Sequence, residues 1–543
     1  MQGFLNRLVD GDACALFNVR QFCEYFYKTA FSFTDEQLSR AGQKYKETDD
    51  ETRRTKVRWD YADRMRKAYE TLFPGLRSLH VGDILSIGVK DGPGAFYGSE
   101  DLPMPFELYK KFPSSTIGSH PRAFDDYRGY FRSYPGSKRR LNPKHKGPKA
   151  WRVGERLSAR TVGRKCTIVF VPKDSRGPRV ISKEPLINQR IQMMAGRVMA
   201  QFLHKESKGH INFVDQSVNQ EIARESSISR KKATLDYRDA SDRVQRYLVW
   251  YIHQNFPGLR RIMRDAMSTH AEFSDGESLK MAKFANMGSG LCFPVLSVII
   301  HLVAIIGVQD WLRCDLNTAN SLVYTYGDDS IVPTQSVDFV KAAAKRYGLM
   351  INDDKSFYLG HFRESCGADY FKGYDVAPVR LRLTGEQLEP SNAYTSSIDL
   401  TKDHGVLQLE RHARELYHKG LFTLSSYYWK EIEDYLGPLP GVAPDSPCLG
   451  RLDREIKYVD QKVYVPVTET VRSTHVCGYK GIAAYLRQQH CSKPEGAFDT
   501  QTALLNGSMT ERLNQTMLRE VTGLDSKARS VDWQTTPLRR RVY

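Results

Sequence analysis

Cysteine is scarce in this chain and carries no pattern. Nine of 543 residues are Cys and no Cys-x-x-Cys occurs. That speaks against a disulfide framework and predicts reduced thiols in a cytosolic compartment. His475, Cys477, His490 and Cys491 are the one set of zinc-type ligands in sequence proximity, but their spacing fits no known finger and chance explains them better. No phosphate-loop signature lies in the Gly- and Pro-rich stretch 86–104. No secretory signal is expected, because Asp10 and Asp12 interrupt the only early apolar run. Internal repeats are absent. Long apolar runs are absent too, except at 291–308. Pro294, Ser297 and His301 lie within that run, and Asp310 and Arg313 follow it. A buried core helix is therefore expected there, with no membrane span.

Aromatic and apolar residues are plentiful. Hydrophobic residues make up 41%, with 25 Phe and 29 Tyr, which is enough for a large core divided among subdomains. Lys and Arg number 80 against 63 Asp and Glu, a net charge of +17. A surface that basic calls for a polyanion. Nucleic acid is favoured over an anionic membrane or an acidic protein. Residues 138–149 (KRRLNPKHKGPK) concentrate that charge where Pro and Gly forbid a long helix. Lys138, Arg139 and Arg140 are thus candidate RNA-backbone contacts.

Local patterning adds elements. Phe22, Tyr25, Phe26, Trp59, Tyr61, Met65 and Tyr69 recur at helical spacing and predict surface helices with one packed face. Residues 166–172 (CTIVFVP) predict a buried strand, and 405–420 predict a helix. Short strands at 322–326 and 331–332 predict a hairpin through Gly327, Asp328 and Asp329, since Gly and Asp tolerate positive φ.

That hairpin is where chemistry is expected. Adjacent carboxylates repel unless a cation lies against them, and oxygen donors select a hard ion such as Mg²⁺. Asp-Asp alone would be an ordinary surface turn. Asp236, at the end of a predicted strand, and Asp242 change that. Carboxylates from two separate elements are what two-metal nucleotidyl transfer requires. Gly288, Ser289 and Gly290 open the apolar helix; two Gly around a Ser let the backbone approach a ligand closely, while taken alone they make an ordinary loop-to-helix turn. Lys173, Arg176, Arg179 and Lys183 follow the buried strand and suit a triphosphate. Lys355, downstream of the acidic pair, is a candidate proton donor to pyrophosphate.

In this order the pieces resemble the right-hand viral RNA polymerases, and more narrowly the replicase subunit of the leviviruses, the single-stranded RNA bacteriophages. Residues 171–185 (VPKDSRGPRVISKEP), 215–220 (DQSVNQ) and 362–368 (FRESCGA), with Gly373-Tyr374-Asp375-Val376 and YGDD between, are similar to blocks of that family. The resemblance covers about 160–380. Two blocks depart from it. The first acidic stretch carries Tyr237 and Arg238 where Leu-Ser is usual. The glycine turn carries Ser289 and Cys292 in place of Asn and Thr.

The resemblance implies an α+β right-hand fold with fingers, palm and thumb, the palm being an antiparallel sheet backed by helices. The expected divisions are 1–230 (N-terminal region and fingers), 231–245 (palm), 246–284 (fingers insertion), 285–385 (palm with the hairpin) and 386–543 (thumb and C-terminal region). It implies an RNA-directed RNA polymerase, with Asp236, Asp328 and Asp329 holding two Mg²⁺, Mn²⁺ being a substitute. Lys173, Arg176, Arg179 and Lys183 would guide the triphosphate, and Asp242 with Ser289 would read the ribose 2′-hydroxyl. Gly288 and Gly290 would approach RNA. Partners would be single-stranded RNA, NTPs, the host elongation factors Tu and Ts and a ribosomal small-subunit protein. The setting would be the cytoplasm of a bacterial host. A reverse transcriptase and a non-catalytic RNA-binding protein with a palm fold are the competing readings.

Overall fold

The long apolar stretch organises the larger part of the molecule. In the computed structural model, Cys292–Leu312 is a 21-residue helix, and positions 294–308 are all buried. Its length and composition would suit a membrane, but protein surrounds it. Pro294 sits in the first turn, where its missing N–H is not needed. His301 is buried with both ring nitrogens bonded, Nδ1 to Thr325 Oγ1 at 3.0 Å and Nε2 to Asn320 Oδ1 at 2.9 Å. Burial pushes its pKa down to about 4, so the ring is neutral.

The structure describes residues 7, 11–29, 33–87, 164–382 and 404–436, with short strands at 116–117, 160–161, 441–442, 451–452, 474–476 and 479–481. Lys138, Arg139 and Arg140 lie outside these residues, as do Cys477, His490 and Cys491. The chain forms two compact units, 1–18 with 33–377 and 19–32 with 378–543. The expected fingers and palm segments between 33 and 377 thus belong to one unit.

Four helices of the first unit matter below: α1 (Asp35–Arg54), α2 (Trp59–Leu72), α3 (Leu186–Glu206) and α4 (Cys292–Leu312). Helix α1 starts on a capping box, with Thr34 and Gln37 each satisfying the other's backbone N–H. The packed face of α2 is Ala62, Met65, Tyr69 and Leu72, and the Tyr69 ring stacks on Phe256 at 4.3 Å. Trp59, expected on that face, is 73% exposed, as are Phe22 and Phe26 for the most part. Periodicity marks a face but not what covers it, and Trp59 begins its helix before the face reaches the core.

Three sheets follow. The first has the order β2-β1-β4-β5, from β1 (Lys165–Asp174), β2 (Gly177–Lys183), β4 (His270–Glu272) and β5 (Ser278–Lys280). Strand β4 runs parallel to β1, so the expected fingers insertion returns to the basic hairpin. The second has the order β3-β7-β6, from β3 (Lys232–Leu235), β6 (Tyr324–Tyr326) and β7 (Asp329–Pro333). The third is a meander of β8 (Phe362–Ser365), β9 (Ala368–Phe371) and β10 (Tyr374–Asp375). The molecule is α+β. In the second unit, helices His404–His418 and Phe422–Leu436 flank Gly420, whose φ of +78° makes the turn. Ser425 Oγ donates to the Ala413 carbonyl across that pair at 2.7 Å.

Candidate active site

The acidic hairpin has a two-residue tip. Tyr326 pairs with Asp329, leaving Gly327 and Asp328 at the turn. Only Gly327 takes a positive φ, +65°, while Asp328 does not; Gly in the first position alone is the type II′ pattern. The expected strand start at 322 is corrected, because Leu322 ends the helix Leu316–Leu322. Gly327 is required twice over, since a Cβ there would lie 2.5 Å from the Phe293 ring.

Asp236 reaches this hairpin through strand register. Leu235 pairs with Ser330, so the next antiparallel step sets Asp236 opposite Asp329. Residues 350–357 line the other edge of β3, with Phe357 N donating to Thr234 O at 2.8 Å and Asn352 N donating to Asp236 O at 2.9 Å. Asn352 Nδ2 also donates to Asp236 Oδ2 at 2.8 Å. The same segment carries Lys355. Asp328 is exposed at the tip. Asp329 turns inward, where its Oδ2 accepts the Cys366 backbone N–H at 2.8 Å. Cys366 (φ +52°) and Gly367 (φ +75°) form the two-residue turn between β8 and β9. The FRESCGA block therefore ties down the second hairpin acid.

The electrostatics reflect crowded acids. Burial raises the Asp236 pKa, Asn352 opposes that, and Asp328 raises it further. Burial and Asp328 push Asp329 up to about 7. Lys355 and Lys173 both act on Asp236 in the opposite sense. The Lys173 pKa is pulled down by desolvation and by its neighbours Arg179 and Lys355. Asp236, Lys173, Arg179 and Lys355, separated by up to 182 positions, are thus brought together. Arg179 and Lys183 share one face of β2 by the period of two. Arg176 instead bonds its own turn, lying 3.3 Å from Asp174 Oδ2.

The glycine turn packs closely within the fold. A Cβ on Gly288 would lie 2.1 Å from Ser182 O, and one on Gly290 would lie 2.7 Å from Met193 N. Gly288 also has φ +114°. The close approach seen is to β2 and α3. Ser289 is buried, and its hydroxyl donates to Gln192 Oε1 at 3.0 Å. It holds the turn to α3. Asp242 has a partner absent from the sequence reading: Lys283 Nζ, fully buried, lies 2.8 Å from Asp242 Oδ1. Of the two departures in the first acidic stretch, Tyr237 is buried and Arg238 is exposed. Lys283, Asn352 and the Cys366 amide carried no local signal, because each meets its acid across 37 to 116 positions of chain.

Among the described residues, no group of three or more His, Cys, Asp or Glu is gathered tightly enough to make a ready metal cage. The donor chemistry nonetheless fits a hard divalent cation. Asp236, just past β3, and Asp328, at the hairpin tip, offer carboxylate oxygens from two separate elements, with Asp329 beside them.

Residues 139–389 match the RNA replicase, beta-chain family model. The RNA-directed RNA polymerase subunit beta of Qbeta virus (strain MX1) is 34% identical over 39% of this chain and 35% of its own length. The RNA-directed RNA polymerase beta chain of Escherichia phage MS2 is 32% identical over 41% of this chain and 38% of its own length. The matched part thus spans little more than a third of those relatives. A solved RNA-dependent RNA polymerase of a human picorbirnavirus, an insertion loop deletion mutant, aligns over 71% of this chain and 87% of its own. That alignment has 11% identity and a TM-score of 0.36.

Proposed function

We propose, from the match of residues 139–389 to the RNA replicase beta-chain family model, that the chain is the catalytic subunit of a phage RNA-directed RNA polymerase. The observation that carries this is the convergence of Asp236 and the Asp328-Asp329 hairpin on neighbouring strands, with Lys173 and Lys355 in electrostatic reach of Asp236. In this reading the β3-β7-β6 sheet is the palm, the β1-β2 region belongs to the fingers, and the C-terminal unit supplies the thumb.

Two Mg²⁺ ions, held by Asp236, Asp328 and Asp329, would supply charge neutralisation and a more acidic 3′-hydroxyl. The chain's own residues do the rest. Lys173, Arg179 and Lys183 bind the triphosphate by charge and orient it in line. The RNA 3′-oxygen forms a bond to the α-phosphorus as the bond from that phosphorus to the bridging oxygen breaks. Pyrophosphate leaves, and Lys355 donates a proton to it. Asn352 keeps Asp236 oriented, and the Cys366 amide keeps Asp329 turned inward. Asp242 accepts a hydrogen bond from the ribose 2′-hydroxyl, which a deoxynucleotide cannot give.

Substrates in this reading are single-stranded RNA and NTPs, in the cytoplasm of a bacterial host. Host elongation factors Tu and Ts and a ribosomal small-subunit protein are proposed partners by family likeness, with no motif for them in this chain. The deciding experiment is Mg²⁺-dependent NTP incorporation on an RNA template by the purified chain, with and without bacterial lysate. Wild type should incorporate, and Asp328→Asn should not while remaining folded by circular dichroism. Full activity in that variant would refute the site.

A further inference from the structure

Lys283 is an ammonium with no exposed surface. A buried cation needs a carboxylate and further polar contact to stay charged. Both are present. Nζ lies 2.8 Å from Asp242 Oδ1 and 3.3 Å from the centre of the Tyr45 ring, a close cation–π contact. Helix α1 fixes the surroundings. Asp49, also fully buried, accepts the backbone N–H of Ala282 at 2.9 Å and of Lys283 at 3.1 Å. Tyr45 OH donates to Asn286 Oδ1 at 2.6 Å, and Thr52 Oγ1 donates to the Asp242 carbonyl at 3.1 Å. One helix therefore grips the backbone of both charged partners. That helix, at Asp35–Arg54, lies wholly outside the 139–389 stretch that matches the family.

Asp242 is not sealed in. Its side chain keeps 20% of its surface, and Oδ2 has no donor among the described residues. One oxygen is tied inward and the other remains available. Ser289 is no substitute anchor, because its hydroxyl is committed to Gln192.

We propose that Lys283 is a positioning residue for sugar selection: gripped by Tyr45 and Asp49 of α1, it pins Asp242 Oδ1 so that Oδ2 accepts the 2′-hydroxyl of the incoming ribonucleotide. This rests on the reading of Asp242 as the ribose-facing acid. An ionised acceptor held in one rotamer rejects a sugar lacking the hydroxyl, whereas a freely turning one finds water instead.

The test measures kcat and KM for an NTP and its 2′-deoxy counterpart on an RNA template, using the full chain. Asp242→Ala comes first. If it leaves the ratio of the two kcat/KM values unchanged, the ribose reading itself fails. If the ratio falls, Lys283→Met should lower it by about tenfold, the scale of one hydrogen bond to a charged group. The change should come through the NTP KM, with the deoxynucleotide constants little moved. Lys283→Met combined with Asp242→Ala should lose nothing further. Equal losses for both nucleotides, or an unchanged ratio, would overturn the proposal and leave Lys283 as a stabilising residue only. Lys283→Met strands a carboxylate and can cost folding. Tyr45→Leu keeps both charges and removes only the ring, so a smaller drop in the same ratio is expected. If Lys283→Met does not fold, an unchanged ratio in Tyr45→Leu overturns the proposal.

Discussion

Asp236 and Asp242 lie six positions apart, and their electrostatic settings are opposite. Asp236 faces other acids. Its pKa is raised by burial and by Asp328, with Lys173 and Lys355 near enough to act on it but with Asn352 as its direct side-chain partner. Asp242 has a lysine against one oxygen, buried and braced from α1. The first acid makes no direct ion pair among the described residues. The second carries its counter-charge within the fold. On the proposed assignment, the difference fits an acid that exchanges cations and substrates each cycle and one that has to be held still.

The largest effect should come from removing the unsatisfied group. Asp236→Asn and Asp328→Asn should each lower NTP incorporation at least roughly a hundredfold. Wild-type folding should persist, because neither loss strands a buried partner charge. Denaturation curves alongside the activity assay check both halves. Equal activity would erase the distinction drawn between the two acids.

Next comes the glycine turn. Gly288→Ala should cost about 2–4 kcal/mol of stability, from a strained φ and from collision with Ser182 O. Urea unfolding measures it, and a neutral result would mean the turn is free to carry a ligand after all.

Protonation offers a third test. Asp329 is pushed up to about 7, above the unfolded value of about 3.9. Between those values the folded chain binds the extra proton, so its stability falls as pH rises from about 4 to about 7 and is level above that. In chelator-treated protein Asp329→Asn should flatten this fall. Added Mg²⁺ should flatten it in wild type, and a slope indifferent to the metal would separate Asp329 from the metal site. The smallest effect should be that of Ser289→Ala, about 1 kcal/mol for its buried bond to Gln192. It should leave NTP over dNTP preference untouched, whereas Asp242→Ala should not.

What was legible in the sequence was what neighbouring residues encode. The 166–172 strand, the apolar helix, the acidic hairpin and the amphipathic helix near 405–420 are local patterns, and the structure has elements at each. The glycines of the 287–290 turn were legible as places of close approach but not as to what approaches, since that depends on β2 and α3 arriving from a hundred residues away. Lys283 looked like any lysine between apolar neighbours. Its meaning comes from Tyr45 and Asp49, 238 and 234 positions earlier. Phe22, Phe26 and Trp59 illustrate the same limit from the other side, a periodic face without its cover.

The hairpin is anchored to one helix at two heights. Phe293, in the first turn of α4, lies under Gly327, and His301, two turns on, bonds Thr325 of β6. The acids therefore take their elevation from the same apolar rod around which the unit condenses. Loosening that rod by a methyl group or a few degrees of heat would tilt the acids before the protein melts. Loss of the proposed NTP incorporation only at raised temperature should accordingly map to α4 and to the residues packed on it, far more often than to the acids themselves.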